Sequence, residues 1–172
     1  MSKLPVLERI LISNLLPDSY FDVTDAWCRL AGTGYGETSI YRAHRFVAEK
    51  ALQNLIAQEK IVYANGAVKS SLYYYPAEHY VKTTAQSIPD YILTQMKPGV
   101  LVGLDDAVSW ITGEAVEDEK LIKNLKIVSF AALRFLEGRR KTERAGGSKF
   151  RSIKGLLESG VVFKLRETVP NF

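Results

Sequence analysis

One cysteine, Cys28, and two histidines, His44 and His79, are all the thiol and imidazole ligands that the 172 residues contain. A lone thiol closes no internal disulfide and builds no thiolate zinc site, which excludes the secreted disulfide scaffolds and predicts a reducing, cytoplasmic setting. The histidines stand in different segments, with no cysteine or carboxylate at ligand spacing, so no metal is expected. No apolar run approaches the ~20 residues of a membrane span, and the N-terminal apolar stretch is interrupted by Glu8 and Arg9, which a secretory signal does not tolerate. No membrane partner is expected. Paired titratable groups and an activated nucleophile are equally lacking, so the chain reads as a protein without enzymatic activity or cofactor. What remains, 47% hydrophobic and 24% charged residues, is the composition of an ordinary globular protein with one medium domain or two small ones.

Charge is present and unevenly distributed. The formal net charge is +4, yet the window from Gly138 to Lys154 alone carries +6: Arg139, Arg140, Lys141, Arg144, Lys149, Arg151 and Lys154 against the single acid Glu143. The rest of the chain is therefore slightly acidic. Such a cluster is the footprint of phosphate binding, where each neutralised phosphate releases condensed counterions. The plainer alternative is a solvated loop at a helix end, eased by Gly138, Gly146 and Gly147.

Apolar spacing predicts a first helix from Leu4 to Leu15, with Leu7, Ile10, Leu11 and Leu15 on one face and Pro5 near its start. A second helix follows Asp22 as N-cap, buries Val23, Ala26, Trp27 and Leu30, and closes at Gly32. The turn Gly32-x-Gly34-x-Gly36 has no strand before it and no Gly-Lys-Ser/Thr after it, so it reads as a helix-to-helix connection rather than a phosphate loop. Thr38 or Ser39 then caps a third helix, Ile40 to Gln58, with Ile40, Val47, Ala51 and Leu55 as its buried stripe and His44 on the same side. Two β-prone runs, Ile61–Tyr63 and Val68–Tyr75, flank Asn65-Gly66 and predict a hairpin with a type I′ turn, ended by Pro76.

Helix, helix, turn, longer helix and hairpin in that order resemble the winged-helix variant of the helix-turn-helix fold. The resemblance rests on the helix from Asp22 to Leu30, the helix from Ile40 to Gln58 and the hairpin from Ile61 to Tyr75. It implies a third helix in the major groove of double-stranded DNA and a wing along the backbone. The outward face of that helix would then carry the contacts: Ser39 and Tyr41 at its start, Arg42 and Arg45 on phosphates and groove edges, Phe46, Lys50, and Gln53, an amide able to pair bidentately with adenine. The Ala64–Ala67 tip is uncharged, which leaves Lys69 as the wing's backbone contact. Phe46 is the one apolar member of this face. It suits thymine methyls, a protein interface, or a lid from the second half of the chain.

The polar stretch 77–89 reads as a linker between a winged-helix domain, 1–76, and a helical, basic domain, 90–172. The second half holds short helices over Asp90–Met96 and Leu104–Ile111, then a long helix from Glu117 to Arg140. Acids at Asp105-Asp106 and at Glu117-Asp118-Glu119 open helices and read as caps. The long helix repeats Leu121, Leu125, Val128, Ala132 and Phe135 on one side and Ile127, Phe130 and Ala131 on another. It is either the spine of a bundle or the seam of a homodimer over 117–140. Leu156-Leu157 followed by Val161–Phe163 echoes Leu55-Ile56 followed by Ile61–Tyr63, so the second half is either a plain helical region or a second, degenerate winged-helix unit with Lys149–Ser159 as its third helix. The fold class is therefore mainly α with a small β-hairpin. The expected function is regulation of transcription or replication by double-stranded DNA binding; the alternative is a winged-helix adaptor that uses Phe46 and the tyrosines as a protein-binding surface.

Overall fold

The computed structural model describes residues 4–13, 22–32, 38–65, 72–76, 87–113, 116–146 and 152–166. These residues form seven helices and five short strands, so the chain is mainly helical. The first half contributes α1 (Pro5–Ser13), α2 (Val23–Ala31), α3 (Thr38–Ala57) and the strands β1 (Ile61–Asn65) and β2 (Leu72–Pro76). The second contributes α4 (Ile88–Gln95), β3 (Val102–Gly103), α5 (Leu104–Thr112), α6 (Glu119–Gly138), β4 (Thr142–Gly146), α7 (Ile153–Glu158) and β5 (Val162–Leu165).

Local chemistry sets the helix ends. The Asp22 carboxyl accepts the Asp25 N–H at 2.8 Å while the Asp25 carboxyl accepts the Asp22 N–H at 3.1 Å, a reciprocal box that satisfies two donors at the start of α2. Gly32 ends α2 at φ 73°. A Cβ there would lie 2.9 Å from the side chain of Ser87, so both the left-handed backbone and the close approach call for glycine. Ser87 is itself the N-cap of α4, which starts two residues earlier than its sequence suggests because Pro89 fits the first turn. The acids of the second half cap as predicted: Asp106 accepts from Gly103 N–H at 2.9 Å and Asp118 from Leu121 N–H at 3.1 Å.

Two sheet features differ from the sequence reading. β1 and β2 pair antiparallel as a hairpin, but the register joins Asn65 to Leu72. Asn65 is thus a strand residue, and no two-residue turn at Asn65-Gly66 fits that register; strand pairing overrides the local turn preference. In the second half a three-stranded antiparallel sheet forms in the order β3-β5-β4. Residues 142–146 belong to this sheet and not to a loop. The helix expected over Lys149–Ser159 is the shorter α7. Thr142-Glu143-Arg144-Ala145-Gly146 has a single β-branched residue, so its strand character comes from pairing with β5, where Arg144 faces Phe163.

The helices share one continuous apolar core. Leu7, Ile10, Trp27, Leu52 and Leu55 from the first half and Ile92, Ile111, Leu125, Val128 and Phe163 from the second are buried within it. α6 runs through its centre, packing against α3 on one side and against α4 and α5 on another. Leu121, Leu125, Val128 and Ala132 are all buried inside the chain. Four members of the stripe offered as a bundle spine or a dimer seam thus pack within the chain, and the fifth, Phe135, is half-buried. The segment 77–86, most of the expected linker, lies outside the described residues.

Candidate nucleic-acid interface

The side of α3 turned away from the core carries the predicted contact residues in unequal states. Arg42 and Gln53 are exposed. Arg45 is exposed as well but engaged: its Nε donates to Glu49 Oε1 at 3.1 Å and its Nη1 to the Tyr41 hydroxyl at 3.0 Å. Tyr41 is half-buried and meets Trp27 edge-on, with ring centres 5.2 Å apart, so its ring belongs to the α2–α3 packing. Phe46 is half-buried, with Lys50 Nζ 5.6 Å and Lys120 Nζ 5.1 Å from its ring centre. Lys120 comes from the first turn of α6, so a side chain from the second half of the chain lies beside this ring. Ser39 lies in the first turn of α3, and Lys69 lies outside the described residues.

The basic window sits around the three-stranded sheet. Arg139, Arg140 and Lys141 are exposed at the end of α6, where Arg140 takes φ 61° and the Lys141 N–H returns to the Leu136 carbonyl at 2.9 Å. The Arg139 guanidinium lies 4.6 Å from the Phe135 ring centre. Arg144 lies over both Phe130 and Phe163, at 5.7 and 5.4 Å, and pairs with Glu137 at 3.5 Å. Aromatic faces thus hold two guanidinium groups in fixed places, a contact of about 0.5–1 kcal/mol at exposed sites. Glu143, the window's one acid, is paired with Lys164 at 3.3 Å. Lys154 is exposed on α7, while Lys149 and Arg151 lie outside the described residues.

The polar side of α6 supplies residues that the sequence reading missed. Lys120, Lys123 and Arg134 are exposed, and Lys126 is half-buried and paired with Asp105 at 3.3 Å. At 100° per residue Lys123 and Arg134 fall within about 20° of one another, three turns apart, and between them the same side of the helix carries the buried Ile127 and Phe130. That signal was present in the sequence, diluted by Glu119 and Glu137 on the same helix.

Other groups have structural roles. His44 is buried, and its Nδ1 donates to the Ile40 carbonyl at 2.9 Å. Burial holds its pKa below the ordinary value, partly offset by that bond. Burial also raises the Cys28 thiol, with Asp25 and Asp22 adding to the effect. The buried carboxyl of Glu8 accepts from Leu4 N–H at 2.7 Å, from Asn54 Nδ2 at 3.2 Å and from Gln58 Nε2. It lies beside a cavity of about 590 Å³ rimmed by Arg9 and Lys60. Among the described residues no three His, Cys, Asp or Glu side chains gather as a metal set, and no helix is long and apolar enough to cross a membrane. Compared with protein-family models, with curated proteins and with solved structures, the chain matches none.

Proposed function

We propose that the chain binds double-stranded DNA as a regulator of transcription or replication, through a helical body built on winged-helix lines. The single observation that carries this reading is the basic window: Arg139 and Arg144 are held on aromatic faces of the α6–sheet platform, and the window's one acid is neutralised by Lys164 rather than by the cluster itself. Arg144 is also paired with Glu137, so the exposed charge is that of Arg139, Arg140 and Lys141 beside the end of α6 and of Lys154 on α7, and exposed positive charge is what phosphate contacts require. The element order supports the reading in both halves. Three helices precede an antiparallel strand pair each time, and in the second half a short strand between the first two helices completes a sheet of order β3-β5-β4. Of the basic window, Arg139, Arg140 and Lys141 follow α6, Arg144 is on β4 and Lys154 is on α7, between the two strands.

The adaptor reading uses Phe46 and the tyrosines as a protein-binding surface; the Phe46 ring is half-buried, with Lys50 and Lys120 of the same chain beside it. The two readings separate on affinity for random-sequence duplex at 50 and 200 mM salt. A nucleic-acid binder that makes several phosphate contacts weakens by orders of magnitude over that range. Absent binding, or binding indifferent to salt, overturns the proposal.

A further inference from the structure

We infer that the cavity between α1 and the end of α3 is a binding site for a small aliphatic carboxylate. The site stands apart from the DNA-binding reading and uses none of the basic window. Positions 5, 8, 9 and 12 follow the i, i+3, i+4, i+7 spacing of one helix face, and Pro5, Glu8, Arg9 and Ile12 of α1 line one side of the cavity. Leu55, Gln58 and Lys60 line the other. The volume, about 590 Å³, falls in the ~300–1,000 Å³ range of small-molecule sites.

The wall and the rim differ in chemistry. Pro5, Ile12 and Leu55 make an aliphatic lining, with no aromatic ring among the described residues of the cavity. Arg9 and Lys60 are exposed, and neither makes an ion pair among the described residues. Arg9 is held instead over the Tyr91 ring of α4, 5.7 Å from its centre, a contact that places the cation without neutralising it. Lys60 is placed by the backbone: the chain turns at Glu59 with φ 59°, and the Lys60 N–H returns to the Leu55 carbonyl at 3.0 Å. The acid in the wall, Glu8, is occupied, since its carboxyl accepts from the Leu4 N–H and from the Asn54 and Gln58 amides. The carbonyls of Asn54, Leu55 and Ile56 at the end of α3 are engaged too, by the N–H groups of Gln58, Lys60 and Glu59. A cationic ligand would therefore meet two like charges and a carboxyl already bonded. A carboxylate meets two unpaired cations, which can hold it by charge-assisted hydrogen bonds, and its hydrocarbon tail displaces water from Ile12 and Leu55.

The test uses the full chain and three probes of one length, octanoate, octan-1-ol and octyltrimethylammonium, titrated below micelle formation and read by amide proton–nitrogen spectra and by the urea midpoint. Octanoate should give saturable shifts at α1 and at the α3–β1 connection and should raise the midpoint, because a ligand of the folded state stabilises it. Its affinity should exceed that of either other probe by about tenfold, from two exposed charge contacts of about threefold each. Arg9→Gln and Lys60→Gln should each lower octanoate affinity by about threefold and leave octan-1-ol binding unchanged. Urea unfolding of the variants checks the fold; if loss of the Tyr91 contact unfolds Arg9→Gln, Lys60→Gln carries the same expectation, since its side chain makes no polar contact among the described residues. The site is overturned if octanoate gives no saturable shift, if the three probes bind alike, if octyltrimethylammonium binds best, if the shifts centre elsewhere on the molecule, or if the preference for octanoate survives both substitutions. None of these outcomes bears on duplex binding, which is measured separately.

Discussion

Lys120 on α6 and Phe46 on α3 are 74 positions apart in the sequence, and the Lys120 ammonium lies 5.1 Å from the centre of the Phe46 ring. With Lys50 beside the same ring, the contact ties the two halves of the chain together. Burying part of a phenyl ring and two cation–π contacts together imply that Phe46→Ala lowers unfolding free energy by about 1–3 kcal/mol. Urea unfolding measures this. A change below about 0.5 kcal/mol, the scatter of ordinary surface substitutions, would mean that the ring is a free surface group after all.

Arg42 and Arg45 are three residues apart on α3, and the structure separates them. Arg45 is already held by Glu49 and Tyr41, whereas Arg42 makes no ion pair among the described residues. Arg42→Ala is therefore expected to weaken duplex binding by about 1–3 kcal/mol if it makes a base contact, and Arg45→Ala by clearly less, since a nucleic-acid contact there must displace an existing pair. Equal losses in anisotropy titrations would show that the Arg45 cluster opens on binding.

How much of this was legible depended on whether a residue's role is local. Asp22 and Gly32 mark the ends of α2 in the sequence because capping and left-handed closure involve neighbours only. The third helix and the hairpin were readable for the same reason, as apolar period and β-prone runs. The Asn65-Gly66 turn misled because register is decided by pairing along the whole strand, and Asn65 pairs with Leu72. β4 was invisible since Thr142–Gly146 becomes a strand only beside Val162–Leu165. The same holds for the candidate interface: Arg42, Gln53 and the Arg139–Lys141 run could be picked from sequence, but Lys120 and Lys123 gain meaning only once α6 is seen lying against α3.

Leu125 is fully buried midway along α6, where both halves of the core meet. Leu125→Ala should cost about 2–5 kcal/mol through lost transfer energy and a residual cavity. Because four members of the stripe pack inside the chain, the unaltered protein should sediment as a monomer at micromolar concentration. A dimer that Leu125→Ala dissociates, with the monomer still folded, would reassign the stripe to a subunit interface.

Glu8 is a buried carboxyl whose hydrogen bonds come from amide donors. Glu8→Ala takes the acceptor from the Leu4 N–H and from the Asn54 and Gln58 amides, joining α1 to α3. A loss of at least about 2 kcal/mol in urea unfolding is expected, because a buried donor left without its acceptor loses the bond and keeps its desolvation cost. Glu8→Gln, which retains one acceptor oxygen, should recover part of it. Full stability of the alanine variant would show that water replaces the carboxyl from the adjoining cavity.

His44 makes stability depend on pH in a defined direction. Its ring is buried, which holds its pKa below the ordinary value against the opposing hydrogen bond that Nδ1 donates to the Ile40 carbonyl. In the unfolded chain the same group takes up a proton near pH ~6.5. Below that pH the unfolded state binds more protons than the folded one, so stability contributed above pH ~6.5 is lost as pH falls towards the depressed folded value. The urea midpoint should therefore drop between pH 7.5 and pH 5.5, a window above the range in which most carboxylates titrate. His44→Gln, which keeps an N–H donor without the titration, should be flatter over the same window. His79 is common to both proteins and cancels in the comparison. A wild-type midpoint that holds or rises on acidification, or a variant with an unchanged slope, would show that His44 accommodates its proton in the folded core.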